Sequence, residues 1–511
     1  MNKTNCNKRD TIHALIFVAI LTILYALIFI LSEFSDSPYK TLKDFAILTF
    51  QWSAITTGTF GLIYMLSINK YIFALTFPLL TVFSTVLTYF RYTANATLTP
   101  MTIDLALIND AKTNAEVISW ELTALMILSF AASIAIISIR WKKIRFPRPW
   151  IHLLVSLTLI YATTSMIPQL GRPLTQRMPY SIYYNFKLYF ENKVIAAEQR
   201  DTFTSEAISN NDSITIVFLI GESLRSDHLQ INGYNRETTP LLAKEKNLIS
   251  LPNIYSEECF THLSVPHIMT RADSINPERA YNEQSFITIF KKAGFYTSWI
   301  ANQEPTDTYV YFMNESDTLI YASSCKSMYT FDKWVDDALL PHLEEELKNK
   351  NTQQLHILHT IGSHWWYNSH YTDKFEKFTP VISSRVISSN SKEEMINSYD
   401  NTILYTDNFI KQVIDKIRDR NAILLYLSDH GECLGEEGYF THGTERPELH
   451  YPAAFIWYSD TYKNIYSEKI ENLEKNHNKC YHTDYLFHSI IDAADITSEY
   501  TNPQLSIFKH Q

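Results

Sequence analysis

Five long apolar runs occupy the first third of the chain, at residues 11–32, 45–67, 71–90, 119–139 and 150–168. Each is roughly 20 residues long, enough for a helix to cross the ~30 Å hydrocarbon core of a bilayer. The first run is too long for the apolar segment of a cleaved signal peptide, and four more follow it. From about residue 211 the pattern changes. Short apolar runs alternate with polar, helix-like stretches. Strands are expected at Ile214–Gly221 (ITIVFLIG), Thr297–Ala301, Leu355–Thr360 (LHILHT), Ala422–Leu427 (AILLYL) and Ala453–Tyr458. Helices are expected over 284–293, 334–349 and 393–418. Near-continuous apolar strands separated by helices indicate a parallel sheet covered on both faces.

The chain therefore divides into a membrane domain (1–168), a linker (169–210) and a soluble catalytic domain (211–511). The linker mixes Arg172 and Arg177 with Tyr180, Tyr183, Tyr184, Phe186, Tyr189 and Phe190. Such a segment suits a helix lying in the lipid–water interface. Orientation follows from the loops. Lys3, Lys8 and Arg9 precede the first run, Lys70 lies in the turn after the second, and Arg140, Lys142, Lys143, Arg145 and Arg148 crowd the loop after the fourth. With five crossings these segments fall on one side, which the positive-inside rule makes cytoplasmic. Everything after residue 168 then emerges outside the cytoplasm. The loop 91–117, with Asp104, Asn109, Asp110 and Glu116, lies on that same outer side.

Net charge is −10 and the isoelectric point about 5.9. This argues against a nucleic-acid binder, which carries a basic excess. It leaves an anionic substrate open, because a bound metal supplies local positive charge that a net count misses. Four of the five cysteines, Cys259, Cys325, Cys433 and Cys480, lie in the soluble part. Their spacing does not choose among three pairings or free thiols.

In α/β folds ligands bind beyond the carboxyl ends of the strands. Polar residues gather there in this chain. Glu222 follows the first strand, Asn302 the second and His364 the third, and Ser428-Asp429-His430-Gly431-Glu432 follows the fourth. Glu222, Asp429 and His430 offer two carboxylates and an imidazole. With a hydroxyl as fourth ligand they make a mixed N/O site that suits zinc. Such a metal lowers the pKa of a hydroxyl and neutralises charge on a phosphoryl oxygen. The hydroxyl comes from the segment YSEECFTHLSVPHIMT at 255–270, where Ser256, Thr261, Ser264 and Thr270 are all candidates. His364 and His442 are candidates to bind phosphate, relay protons or hold a second metal. Glu432 is placed to orient His430 from behind.

Several of these residues form an ordered set. Gly221-Glu222-Ser223 with Arg225, Asn232-Gly233-Tyr234, Arg236-Glu237-Thr238, Pro240, Thr261 with Ser264-Val265-Pro266, Gly362-Ser363-His364, Ser428 to Glu432, and His442-Gly443 together resemble the phosphoethanolamine transferases that modify lipid A and other lipopolysaccharide phosphates. That group, which includes enzymes of colistin resistance, belongs to the alkaline phosphatase and sulfatase-like superfamily. The resemblance implies a five-span α-helical membrane domain followed by an α/β/α sandwich in the periplasm, anchored to the bacterial inner membrane. It implies Thr261 as nucleophile and Glu222, Thr261, Asp429 and His430 as ligands of Zn2+, with room for a second ion. It also implies substrate contacts from His364, His442, Asn109 and Glu116. The donor would be phosphatidylethanolamine and the acceptor lipid A or another lipopolysaccharide group, and the expected form is a monomer. The sequence departs from the group in three places. Glu257 and His267 stand where many members have cysteines, the lysine those members carry after the strand ending near Asn302 has no clear counterpart, and the spacing from Asn109 to Glu116 differs by one residue. Three alternatives remain: a sulfatase, a phosphoglycerol transferase, and a non-enzymatic membrane scaffold. A sulfatase needs Cys or Ser in a C/S-x-P-x-R context, which neither Cys259 nor Ser264 has.

Overall fold

The structure is a computed structural model, and it describes residues 3–94, 96–108, 118–165, 175, 177–196, 199–327 and 331–509. The chain forms two compact units. The first comprises Met1–Tyr189 with the segments Cys325–Phe331 and Ser383–Ser389; the second holds the remainder.

The first unit is helical. Among the described residues, three helices are long and apolar enough to cross a membrane: Asn7–Phe34, Lys70–Ala94 and Trp120–Lys143. They coincide with the first, third and fourth expected spans. The other two expected spans also form helices, but with weaker credentials. Leu42–Ile68 has 27 residues, yet Gln51 and a run of Ser, Thr and Gly dilute its hydropathy. Pro149–Thr164 has 16 residues, about 24 Å of helix, which falls short of the ~30 Å core. Leucines and isoleucines such as Ile16, Ile20, Leu27, Leu75, Leu79 and Leu128 are exposed on these helices, as lipid-facing surfaces require. Between the helices, hydroxyls pair with one another: Tyr25 with Ser84 at 2.6 Å and Thr81 with Ser133 at 2.6 Å. Arg140 donates to the carbonyls of Ser67 and Ile68 and so satisfies the open C-terminal end of Leu42–Ile68. A short helix, Pro100–Ile108, lies within the segment expected as an external loop. Asn109, Glu116 and Arg172 lie outside the described residues.

The second unit is built on a seven-stranded sheet. Its strands are β1 (Ile214–Gly221), β2 (Leu248–Ser250), β3 (Tyr296–Ala301), β4 (Thr318–Tyr321), β5 (Gln353–His359), β6 (Ala422–Ser428) and β7 (Ala454–Tyr458), in the spatial order β2-β7-β6-β1-β5-β3-β4. β1 is central and buried along its whole length, which is why its sequence reads as one apolar run. It pairs in parallel with β5 and β6, and β3 continues the parallel set to β4. The expectation of a purely parallel sheet needs correcting at one side. β7 runs antiparallel to β6, and β2 antiparallel to β7. Burial on both faces makes a strand apolar whichever way it runs, so hydropathy cannot report direction. β2 and β4 were not expected from the pattern, being three and four residues long and only half-buried.

Helices cover the faces. Phe286–Lys292 buries Phe286, Ile287, Ile289 and Phe290 in the core around Phe218 and Phe487. Lys392–Ile417 opens with a Ser391/Glu394 capping box and buries a stripe from Met395 to Ile417. That capping box satisfies donors at the N-terminal turn that would otherwise lack partners.

Candidate active site

Four strand ends meet at one edge of the sheet. Gly221 closes β1 where a Cβ would stand 2.2 Å from the Tyr426 hydroxyl oxygen, so only glycine fits. Glu222 follows, and then Ser223 with φ of 57°. This sharp turn aims the Glu222 carboxylate inward, and the Ser223 hydroxyl donates to its Oε1 at 2.7 Å. Asp429 leaves β6 beside it. Its Oδ1 accepts from the Ser223 N–H at 3.0 Å and the His430 N–H at 2.8 Å. The Nδ1 of His430 faces the Gly431 carbonyl at 2.7 Å, so it carries the proton and Nε2 is left as the acceptor. Thr261 opens the helix Thr261–Met269. Its Oγ1 lies 3.1 Å from Glu222 Oε2 and 3.2 Å from His430 Nε2.

Glu222, Asp429 and His430 are buried, and one potential ligand atom from each lies within 4.8 Å of the others. Asp429 Oδ2 is fully buried and makes no hydrogen bond; it stands 3.4 Å from His430 Nε2. Burial disfavours charge on both carboxylates, but the group resolves it unequally. Burial raises Glu222, and the neighbouring histidines His430, His364 and His442 together with the Ser223 hydroxyl outweigh that and hold it low. Burial and then the Glu222 charge push Asp429 well above the carboxylate range. Two buried carboxylates side by side cannot both ionise without a cation. An orphaned carboxylate oxygen, an imidazole Nε2 and a second carboxylate facing one point are a donor set that fits a divalent metal of the zinc type.

The histidines expected at the phosphate site are close by. The His442 ring centre is 4.7 Å from that of His430 and 6.3 Å from that of His364. Glu432 behaves differently from expectation. It does not back His430, whose Nδ1 is taken by Gly431. Instead its carboxylate stands 3.5 Å from His442 Nδ1. Burial lowers the His442 pKa, but the Glu432 charge overcomes it and lifts the imidazole to about 9. His442 is therefore a cation at neutral pH, suited to a phosphoryl oxygen. The other hydroxyls of the nucleophile segment point elsewhere: Ser256 bonds the Glu258 carbonyl, Ser264 the Asp429 carbonyl and Thr270 the Pro266 carbonyl.

Asn302 is at the edge but not in the cluster. It donates to Asp336 and accepts from the Trp334 indole. Asp336 in turn accepts the N–H groups of Ile361 and Gly362 and so holds the loop that carries His364. Three contributors escaped the sequence reading. Gln303 Nε2 donates to Glu222 at 2.7 Å. The Tyr399 hydroxyl donates to the Ser223 carbonyl at 2.7 Å and accepts from the Arg225 N–H at 2.8 Å. Asp400 gathers His228, Tyr234 and Arg236. These last contacts give the Asn-Gly-Tyr-x-Arg-Glu-Thr block a physical role: Tyr234 and Arg236 tie it to Asp400 of Lys392–Ile417, next to the Tyr399 that holds the Glu222 turn. For Gln303 a signal existed, since it follows Asn302 at the edge where a site forms. Tyr399 and Asp400 lie mid-helix and gave none. Cys259, Cys433 and Cys480 are free thiols. Cys259 and Cys433 are buried in an apolar cluster with Leu449, and burial, assisted by neighbouring acids, pushes them up to about 11 and about 12. Neither is a thiolate under ordinary conditions.

The family model described as Sulfatase matches residues 214–496, more than half of the chain. The chain belongs to the sulfatase family. Several of the curated relatives it matches are transferases by name. A "Kdo(2)-lipid A phosphoethanolamine 7''-transferase" of Escherichia coli K12 is 38% identical over 269 residues, covering 51% of this chain and 47% of that protein. The chain spans about half the length of the curated relatives it matches. The integral membrane lipooligosaccharide phosphoethanolamine transferase A of Neisseria meningitidis shares the fold with a TM-score of 0.55 at 21% identity, over 96% of this chain and 97% of that one. The periplasmic domain of Escherichia coli EptC, solved in complex with Zn, aligns with a TM-score of 0.53 at 23% identity, over 61% of this chain and 90% of its own. The resemblance stated from the motifs thus holds at the level of the family and its named relatives.

Proposed function

We propose that this protein transfers phosphoethanolamine from phosphatidylethanolamine to lipid A or another lipopolysaccharide acceptor, through a covalent phosphothreonine at Thr261. The observation that carries the reading is the convergence of the Thr261 hydroxyl, at 3.1 and 3.2 Å, on Glu222 and His430 beside the buried Asp429. Glu222, Thr261, Asp429 and His430 would hold a zinc ion. When bound, the ion supplies Lewis acidity that lowers the Thr261 pKa and offsets charge on the phosphoryl group. The chain's own residues do the rest. Thr261 Oγ1 forms the bond to phosphorus while the bond from phosphorus to the diacylglycerol oxygen breaks, and diacylglycerol leaves with a proton. His442, held cationic by Glu432, binds a phosphoryl oxygen, and His364 lies beside it to deliver or receive the proton. An acceptor oxygen then attacks phosphorus and the Thr261 oxygen departs. Asn109 and Glu116 are assigned to substrate contact on the strength of the family resemblance.

The reading extends to the membrane. Five spans, an interfacial helix around Tyr180–Ala196 and a periplasmic catalytic domain belong to the proposal, which the apolar helices and the charge bias of the loops support. Both substrates are lipids, which is the reason for the anchor. The domain limits 1–168, 169–210 and 211–511 belong to the same proposal, as does the monomeric state. The test is mass spectrometry of envelope glycolipids and of the protein from cells making wild type or Thr261→Ala. Wild type should add phosphoethanolamine to a lipopolysaccharide group and carry the modification on the peptide containing Thr261. Thr261→Ala should do neither while remaining in the membrane; normal modification by that variant refutes the assignment.

A further inference from the structure

Gln303 follows Asn302 beyond the end of β3 and is 8% exposed. Its Nε2 donates to Glu222 Oε2 at 2.7 Å and to the Thr360 carbonyl at 2.9 Å, so both amide hydrogens are used. Thr360 is itself tied to β1, donating its N–H and its hydroxyl to the Ile220 carbonyl. One amide nitrogen therefore links the ends of β1, β3 and β5. The Glu222 oxygen it contacts is the same one that accepts the Thr261 hydroxyl at 3.1 Å, while the other oxygen is held by Ser223.

The terminal torsion of a glutamate is broad and two-fold, so burial alone does not fix the carboxylate plane. Hydrogen bonds to each oxygen do. A carboxamide has a further property here. It orients a carboxylate without cancelling its charge, as an ammonium in the same place would, and leaves that charge to a cation. We propose that Gln303 is a positioning residue that sets the Glu222 carboxylate toward both the metal and Thr261. The inference rests on the reading of Glu222 as a metal ligand. Gln303 acts through Glu222, the carboxylate it hydrogen-bonds.

The experiment uses the full chain purified in detergent as wild type, Gln303→Met and Gln303→Ala. Methionine keeps the length without the donor, and alanine leaves room should methionine not fold. Zinc affinity is read by competition with a chromophoric chelator, thermal stability is read in the metal-free state, and kcat and KM are measured with phosphatidylethanolamine. Zinc binding should weaken about 10- to 100-fold, and kcat should fall while KM stays within about twofold. The metal-free Tm should fall by about the same few degrees in both variants, because the Thr360 carbonyl loses a buried donor; losses of zinc affinity and kcat beyond that fall separate positioning from a structural role. A folded variant whose zinc affinity and kcat match wild type overturns the proposal, and so does a variant whose only defect is a lowered metal-free Tm. A wild-type chain that binds no zinc is a different result, which overturns the metal reading and this inference with it.

Discussion

Replacing Asp429 by Asn should make the metal-free protein more stable and the zinc-loaded protein less stable. The substitution preserves Oδ1, which accepts the N–H groups of Ser223 and His430. It removes the charge shared with Glu222 inside a cluster whose ligand atoms lie within 4.8 Å. At an effective dielectric constant of about 20, two charges at that separation repel by ~3 kcal/mol. Protonation of Asp429, whose pKa is raised by burial and by Glu222, relieves part of this at low pH. The sign follows. A carboxyl whose folded-state pKa is raised contributes stability below its unfolded pKa, and that contribution is lost as pH rises through the folded value. In chelator, wild type should therefore lose stability as pH rises above the unfolded aspartate value of about 4, whereas Asp429→Asn should be spared that loss and keep only the one from His442 as pH passes about 9, gaining ~1–3 kcal/mol relative to wild type above neutrality. With zinc at about 1,000 times its Kd, wild type gains ~4 kcal/mol, which the variant largely forgoes. For a unit of this size each kcal/mol moves Tm by roughly 1–2 °C. Tryptophan fluorescence of the detergent-purified protein during heating, in chelator and in zinc, reads both limbs. The order of the two proteins should invert between the conditions. If Asp429→Asn is the less stable protein in both, Asp429 is an ordinary structural carboxylate and the metal site is misassigned.

Other outcomes follow from single contacts. Tyr399→Phe strips the Ser223 carbonyl and the Arg225 N–H of their buried partner, which should cost ~1–3 kcal/mol in chemical denaturation and lower kcat, because the Glu222 turn loosens. Gly431→Ala would place a Cβ 2.3 Å from the Glu448 carbonyl oxygen; the loop after His430 must shift, so a loss of ~1–3 kcal/mol with weaker zinc retention is expected in a chelator challenge. Cys259 and Cys433 are buried thiols with raised pKa values, so activity should survive iodoacetamide at neutral pH, and mass spectrometry should find both unlabelled in the native state.

Hydropathy alone determined where the sheet strands β1, β3, β5, β6 and β7 lie, because strands buried on both faces must be apolar along their length. The rule that α/β folds bind ligands beyond strand ends then put Glu222, His364, Asp429 and His430 on one edge, and the structure brings them together. The order of motifs was enough for the family. Tertiary structure alone decided what depends on contacts between distant residues. The direction of β7 left no mark in its composition. Glu432 is two residues from His430 yet turns to His442, since Gly431 already satisfies His430 Nδ1. Gln303 reaches Glu222 only because β1, β5 and β3 are neighbours in the sheet, and Tyr399 reaches Ser223 across 176 residues of sequence. Local pattern fixes which residues are buried and where strands end; which buried polar groups find one another is settled by strand order and packing, which no local window contains.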